Sequence, residues 1–324
     1  MKKISILVPT YNEVGNINAI YEALKNVLIQ LTEYDWDITF IDNKSSDGSR
    51  DLIREICKND KKVKAILNSK NFGGSNSPYY GICQTDGDCT IMISADLQDP
   101  PELIPQMIKE WEKGHDVVTT VKTSDRESKV VRLCRTVYYR ILKKMSDVEI
   151  IEHFTGFGLY DKSFVNIMRS LDDPTPFLRG VVAEYASSIS SVYYEHRERK
   201  SGQSKFRFAQ LYDLAMLSFT SYTTFGLRMA SFIGYIVAIF SFLVAAAYFV
   251  IKLFNWDSFN PGSAATLIGM FFLGAIQLIF MGFLGEYIIS INRRSMHRPL
   301  VVEEERINYA DDVTETSKSQ ESKC

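Results

Sequence analysis

The chain has 324 residues, with 37 Lys and Arg against 39 Asp and Glu and a formal net charge of −2. That length suits one large domain with an appendage or two modest domains, and the lack of a basic excess points away from nucleic acid as a partner. The five cysteines form no CxxC pair and have no His at zinc spacing, so they read as free thiols of a reducing compartment.

From the start, Ile4 to Val8 is a short apolar run that reads as a strand, since it is too short for the apolar core of a signal peptide. Asn16 to Leu31 has helical periodicity. Trp36 to Ile41 is a second strand and Ser49 to Cys57 a second helix. Val63 to Leu67, Asn76 to Gln84, Thr90 to Ile93, Leu103 to Lys113 and Val117 to Val121 continue the alternation of strand and helix. Such alternation predicts an α/β fold with a mostly parallel sheet covered by helices on both faces. Ligands of such sheets bind beyond the carboxyl ends of the strands. Three polar loops fall there: PTYNE after the first strand, DNKSSDGS after the second and SADLQDPP after the fourth. In the second, Asp47-Gly48 also makes a tight turn, and Ser45, Ser46 or Asp47 can cap the next helix.

The mean hydropathy of −0.08 averages two unlike regions. Residues 206–227 mix aromatic and apolar side chains and suit helices lying along a membrane surface. Met229 to Ile251 and Ala264 to Gly285 carry no charge, and each exceeds the roughly 20 residues a membrane-crossing helix needs. Arg228 precedes the first span, and Arg293, Arg294 and Arg298 follow the second. By the positive-inside rule both termini are cytoplasmic. The expected division is a catalytic domain at 1–205, juxtamembrane helices at 206–227, spans at 228–252 and 264–291, an outside loop at 253–263, and a disordered cytoplasmic tail at 292–324.

Carboxylates at a strand end, stiffened by Pro100 and Pro101, can hold a divalent cation; Asp and the Gln carbonyl suit Mg²⁺ or Mn²⁺. Alone, such an Asp-x-Gln-Asp cluster is a weak signal, and solvated loop acids are its commoner explanation. The order of motifs adds to this. VPTYNE, IDNKSSDGS, KNFGG, SADLQDPPEL and RERKSGQSKF, followed by two spans, resemble the family-2 glycosyltransferases, above all the polyprenyl-phosphate (dolichol-phosphate-type) sugar transferases in their bacterial two-span form. The resemblance runs from residue 3 to near residue 300.

It implies a GT-A domain, a Rossmann-like fold binding a nucleotide-sugar, whose Pro9, Tyr11 and Glu13 contact the nucleotide. Ile41, Asp42 and Asn43 match the strand-end positions that read base and ribose, with Asn43 replacing a frequent Asp. Ala95 matches a position against the ribose-phosphate, and Asp96 and Gln98 match the metal positions. Arg199 and Lys205 match a basic pair near the phosphates. Arg132, with Arg135, falls in the region that meets the lipid phosphate, and HFTGFGLYDK matches an acceptor-side loop before a helix. Plainer readings stand beside these: Tyr11 as packing, Arg199 and Lys205 as a basic run beside anionic lipid, and Arg132, Arg135 and Arg140 as helix surface.

Besides Asn43, the chain departs from the family in three places. Ser94 stands where the first acid of an Asp-x-Asp is usual, which weakens one metal ligand. Lys122 lies near a frequent Arg. Glu152 and His153 occupy the place of a frequent Asp; a strong base is dispensable there, because a phosphate monoester, with a second pKa of roughly 6, is largely dianionic near neutral pH. The implied function is inverting transfer of a hexose from a nucleotide-sugar to undecaprenyl phosphate at the inner (plasma) membrane. UDP-glucose leads as donor, ahead of UDP-GlcNAc, UDP-galactose and GDP-mannose, and assembly of a homo-oligomer through the spans is compatible with it. Two alternatives stay open: transfer to another lipid or glycan acceptor, and a catalytically degenerate membrane scaffold marked by Ser94.

Overall fold

In a computed structural model of the protein, the described residues are 1–122, 154–171, 173–174, 176–194, parts of 232–254, 263–296 and 298–309. In chain order the elements are β1 (Lys2–Thr10), α1 (Ile17–Leu28), β2 (Tyr34–Asp42), α2 (Ser49–Asn59), β3 (Val63–Asn68), α3 (Asn76–Gln84), β4 (Cys89–Met92), a 3₁₀ turn (Pro101–Leu103), α4 (Ile104–Glu112) and β5 (Val117–Lys122). There follow β6 (Phe154–Asp161), α5 (Lys162–Ser170), α6 (Leu178–Tyr185), β7 (Ile189–Tyr194), α7 (Ser263–Ser295) and β8 (Glu303–Ile307).

The strands form one sheet in the order β7-β5-β6-β4-β1-β2-β3-β8. All run the same way except β6, which lies antiparallel between β4 and β5, and β8, which is antiparallel to β3. Both faces are buried. On β1 the period-2 alternation sends Ile4, Ile6 and Val8 into a core with α1, α2 and α4, and Leu7 into a second core with Ile41, Ile66 and residues of α3, α5 and α6. α3 packs so close that a Cβ on Gly81 would come within 2.8 Å of a Leu7 methyl. Glycine there lets the helix approach the strand, at the cost of weaker helix propensity.

β1 to β5 and α1 to α4 appear where the sequence pattern puts them. Two expectations need correction. HFTGFGLYDK is a strand over Phe154–Asp161, and not a loop, although a helix does follow it. Phe154, Phe157, Leu159 and Tyr160 are all buried there, and Gly158 pairs with both Met92 and Thr119. The tail expected to be disordered contains β8: Ala65 pairs with Ile307, Ile66 with Arg306, Leu67 with Glu305 and Asn68 with Glu303. Asn308 closes the strand by donating to the carbonyls of Cys57 and Val63 at 2.6 and 2.7 Å.

Contacts divide the chain into two units. The first holds the whole sheet with its helices, β8 included; the second holds α7. Within α7, Phe272–Asn292 spans 21 residues with a mean hydropathy of 1.8 and is 6% buried, long and apolar enough to cross a membrane. Residues 206–227 and most of 228–263 lie outside the described residues.

Candidate active site

β1, β2, β3 and β4 end side by side at one edge of the sheet, with Thr10 opposite Asp42, Asp42 opposite Leu67 and Leu7 opposite Met92. The loops leaving these ends are 11–16, 43–48, 69–75 and 93–100. Side chains knit the first two together. The Ser45 hydroxyl takes the Asn12 amide at 2.8 Å, the Ser49 hydroxyl takes that of Glu13 at 3.0 Å, and Asp47 takes that of Val14 at 3.0 Å. In return the Asn12 side chain accepts from the Ser46 amide at 2.8 Å. Asp47 also accepts from the Ser49 amide, the first of α2, while the N-cap position itself is Gly48 and makes no side-chain cap bond. Burial disfavours the Asp47 charge, but the hydrogen bonds from Ser49 and Val14 prevail and hold its carboxyl below the usual range.

Beneath these loops lies Asp42, fully buried. It accepts from the Ser45 amide at 3.0 Å and from the Ser45 hydroxyl, and pairs with Arg50 Nε at 3.2 Å. Arg50 in turn donates to the Asn68 carbonyl at the end of β3 at 3.2 Å. Asn43 fastens the third loop: its oxygen takes the Phe72 amide at 2.8 Å, and its nitrogen donates to Asn71 at 2.9 Å and to the Gly73 carbonyl at 3.1 Å. The fourth loop begins next to β1, where Ile93 donates to the Leu7 carbonyl at 3.0 Å. Asp96 accepts from the Gln98 amide at 3.2 Å across Leu97, and Asp99 is buried and takes the Tyr194 hydroxyl.

Asn12, Lys44 and Leu97, one in each of three loops, have φ of 54°, 65° and 58°. Non-glycine residues occupy this left-handed region only when their surroundings impose it, and such positions cluster at functional sites.

The expected site residues thus divide. Pro9, Tyr11, Ser94 and Gln98 reach the surface of this edge, Tyr11 being 37% exposed. Asp96 is brought to the same edge. Glu13 binds the Asn16 side chain at 2.6 Å and its amide and that of Ile17 through its carbonyl, so it starts α1. Ile41 and Ala95 are core side chains, Ala95 only 2% exposed, so neither offers its side chain to a ligand as expected. Asp42 and Asn43 hold loops from below. Arg132, Arg135, Glu152, His153, Arg199 and Lys205 lie outside the described residues. The described residues flanking them, Lys122, Phe154 and Tyr194, all end or begin strands at this edge, with Lys122 opposite Tyr194 and Val121 opposite Phe154. Sequence reasoning missed Arg50, Asn68 and the Asp99–Tyr194 pair; the only signal for Arg50 was its place in the first turn of α2.

An α/β sheet with four polar loops beyond its parallel strand ends, an exposed aromatic on the first and a carboxylate on the fourth, is the place where enzymes of this fold class hold their ligands. Residues 5–168 match Glycosyl transferase family 2, and the chain belongs to that family and is a glycosyltransferase. It is similar to the bactoprenol glucosyl transferase of Shigella phage SfV, with 34% identity over 92% of this chain and 96% of that one. It is 33% identical to the uncharacterized glycosyltransferase YkcC of Bacillus subtilis (strain 168), over 92% of each. A prophage bactoprenol glucosyl transferase homolog of Escherichia coli (strain K12) is 32% identical over 88% of this chain and 93% of its own.

Proposed function

We propose that the protein transfers glucose, with inversion, from UDP-glucose to a membrane polyprenyl phosphate of the bactoprenol (undecaprenyl) type. The observation that carries this reading is the 34% identity that extends over 92% of the chain to a bactoprenol glucosyl transferase. It thus takes in the segments beyond the sheet as well as the sheet itself. The phosphate oxygen attacks the anomeric carbon as the bond from that carbon to the nucleoside diphosphate breaks, and the electron pair leaves with the diphosphate. The acceptor is already largely a dianion near neutral pH, so the protein's task is positioning and charge stabilisation. Tyr11 packs against the base. Arg132, Arg199 and Lys205 position phosphates, and Glu152 and His153 orient the acceptor.

The fourth loop supplies oxygen donors only: the Ser94 hydroxyl, the Asp96 carboxylate and the Gln98 amide. Among the described residues no three His, Cys, Asp or Glu side chains gather. One carboxylate with neutral oxygens fits Mg²⁺ or Mn²⁺, which keep waters and phosphate oxygens in their shell. A bound cation would neutralise the leaving diphosphate. The enzyme would sit in the inner (plasma) membrane through two spans, 228–252 and 264–291, with the sheet unit and both termini in the cytoplasm. The hydropathy of α7 and the arginines after it support this reading.

The test incubates detergent-purified protein with undecaprenyl phosphate and labelled UDP-glucose, UDP-GlcNAc, UDP-galactose or GDP-mannose, with Mg²⁺, Mn²⁺ or EDTA. Label should enter the organic phase from UDP-glucose, fall with EDTA, and fall 100-fold or more (~10²–10³) in Asp96→Ala. Label from another donor would rename the sugar. No label from any donor into lipid, with folded protein, would overturn the reading in favour of a different acceptor or a scaffold.

A further inference from the structure

We propose that Glu304, on the last strand of the sheet, is a positioning residue for the donor nucleotide, acting through Arg50 and Lys44. This rests on reading the strand-end edge as the nucleotide site. The register of β8 on β3 slips between Leu67 and Asn68: Leu67 faces Glu305 and Asn68 faces Glu303, so Glu304 is the extra residue of a β-bulge. A bulge breaks the alternation of faces and re-aims a side chain. Here its effect is visible in the partners. Glu303 binds Arg306, which reaches Gln84 of α3. Glu305 pairs with Arg54 of α2 at 2.9 Å. Strict alternation from Glu305 would put Glu304 on the opposite face, with Arg306. Instead it joins Glu305 on the α2 face, at 3.0 Å from Arg50, one helical turn before Arg54.

The same carboxylate oxygen of Glu304 also binds Lys44 Nζ at 2.6 Å. Lys44 is the residue of the second loop in the left-handed conformation, and Arg50 is the hub that touches Asp42 and the Asn68 carbonyl. One side chain therefore ties the turn of the second loop to the guanidinium beneath it. Glu304 is itself 44% exposed, so its ion pairs add little to stability. Their value lies in fixing where Arg50 and Lys44 point, and through them the loops around Asn12, Asn43 and Ser45. Arg50 carries a second acid, Asp42, on its other side; with Glu304 removed, both cations lose their shared anchor while the fold keeps its β8 ladder.

The experiment compares Glu304→Gln with Glu305→Gln in the full-length protein. Each removes one charge from β8, and only the first touches Arg50 and Lys44. The readouts are the dissociation constant for UDP by calorimetry, KM for UDP-glucose, KM for undecaprenyl phosphate, kcat and Tm. Glu304→Gln should weaken UDP binding and raise the donor KM by about fivefold or more, leaving lipid KM and kcat within twofold of wild type. Glu305→Gln should leave all four within twofold, and both variants should melt within a few degrees of wild type (~0–1 kcal/mol for an exposed pair). Equal UDP affinity in the two variants would overturn the proposal, as would a change confined to Tm or to the lipid KM. Wild-type protein that binds UDP but transfers no glucose would overturn the proposed reaction alone, because the two UDP constants still decide the role of Glu304. Wild-type protein that binds no nucleotide would overturn both.

Discussion

At the carboxyl edge of the sheet, a cluster of polar side chains holds loop backbone; at the amino edge, a cluster of charged side chains is held together by ion pairs. Asp42, Asn43, Ser45, Asp47 and Ser49 bond loop amides or carbonyls, and three non-glycine residues there sit in the left-handed region. At the opposite edge Asp37 pairs with Lys3 and Lys64, each at 2.8 Å, and Asp86 joins them at 2.8 and 3.2 Å. There burial opposes the charges, yet the hydrogen bonds to Asp37 and Asp86 prevail and push Lys3 above the usual lysine range. The residue types are much the same. In one place they impose a loop shape, which is what recognition needs. In the other they neutralise charge between strands, which is only stability.

Substitutions can break or sharpen this contrast. The largest effect is expected for Asp42→Ala, which leaves Arg50, 11% exposed, without its buried partner. It should cost about 3–5 kcal/mol in urea denaturation and also raise the donor KM. A variant that melts as wild type would break the comparison. Asp37→Ala leaves Lys3 and Lys64 only the exposed Asp86 as a shared partner and should cost about 3 kcal/mol. Its kcat/KM, measured where it is folded, should stay within twofold of wild type; a larger loss would mean the amino edge also shapes the site. Next comes Tyr194→Phe, which strands the buried Asp99 carboxylate within the fourth loop, where the cation is proposed to bind. The expected cost is about 1–3 kcal/mol, with a rise in the Mg²⁺ or Mn²⁺ concentration giving half-maximal transfer. An unchanged metal requirement would assign the pair to stability alone.

The smallest effect is in pH dependence. Burial works against the Asp86 charge, but Lys3 and Lys64 pull its carboxyl from 3.8 down to about 2. A depressed folded pKa gives stability that is present above 3.8 and is lost as pH falls through about 2. The Tm of Asp86→Asn should therefore fall less steeply than that of wild type across that window. An identical slope would show that the amino-edge cluster does not depend on Asp86.

The sequence made the first five strands legible because each is an apolar run bounded by polar turns, with amphipathic helices between. β6 was hidden by Gly156 and Gly158, which dilute a strand whose aromatics are all buried. β8 was hidden because its residues, EEERI, carry no apolar alternation; its reason to exist is the open edge of β3, reached across 233 residues where Ser69 meets Val302. The site was legible as a place, since the three polar loops PTYNE, DNKSSDGS and SADLQDPP leave strand ends at one edge. The role of each residue was less so. Asp42, Asn43 and Glu13 have the chemistry of ligand contacts, but their partners are loop amides and carbonyls, the side chains of Ser45, Asn71 and Asn16, and Arg50, which spacing cannot reveal. Ile41 and Ala95 face the core because the strand alternation and the turn after β4 turn them inward.

The position of β8 in the chain has a consequence for biosynthesis. The ribosome delivers β3 early and its edge partner last, after the long apolar helix α7 has already emerged. Until residue 303 is free, the nascent sheet carries an unpaired edge, the kind of surface that recruits foreign strands. The brace on Arg50 and Lys44 also arrives only then. A chain interrupted after residue 112 but before residue 303 would possess the four loops and still lack the strand that braces Lys44 and Arg50, so translation itself would withhold that brace until the long apolar helix has been made.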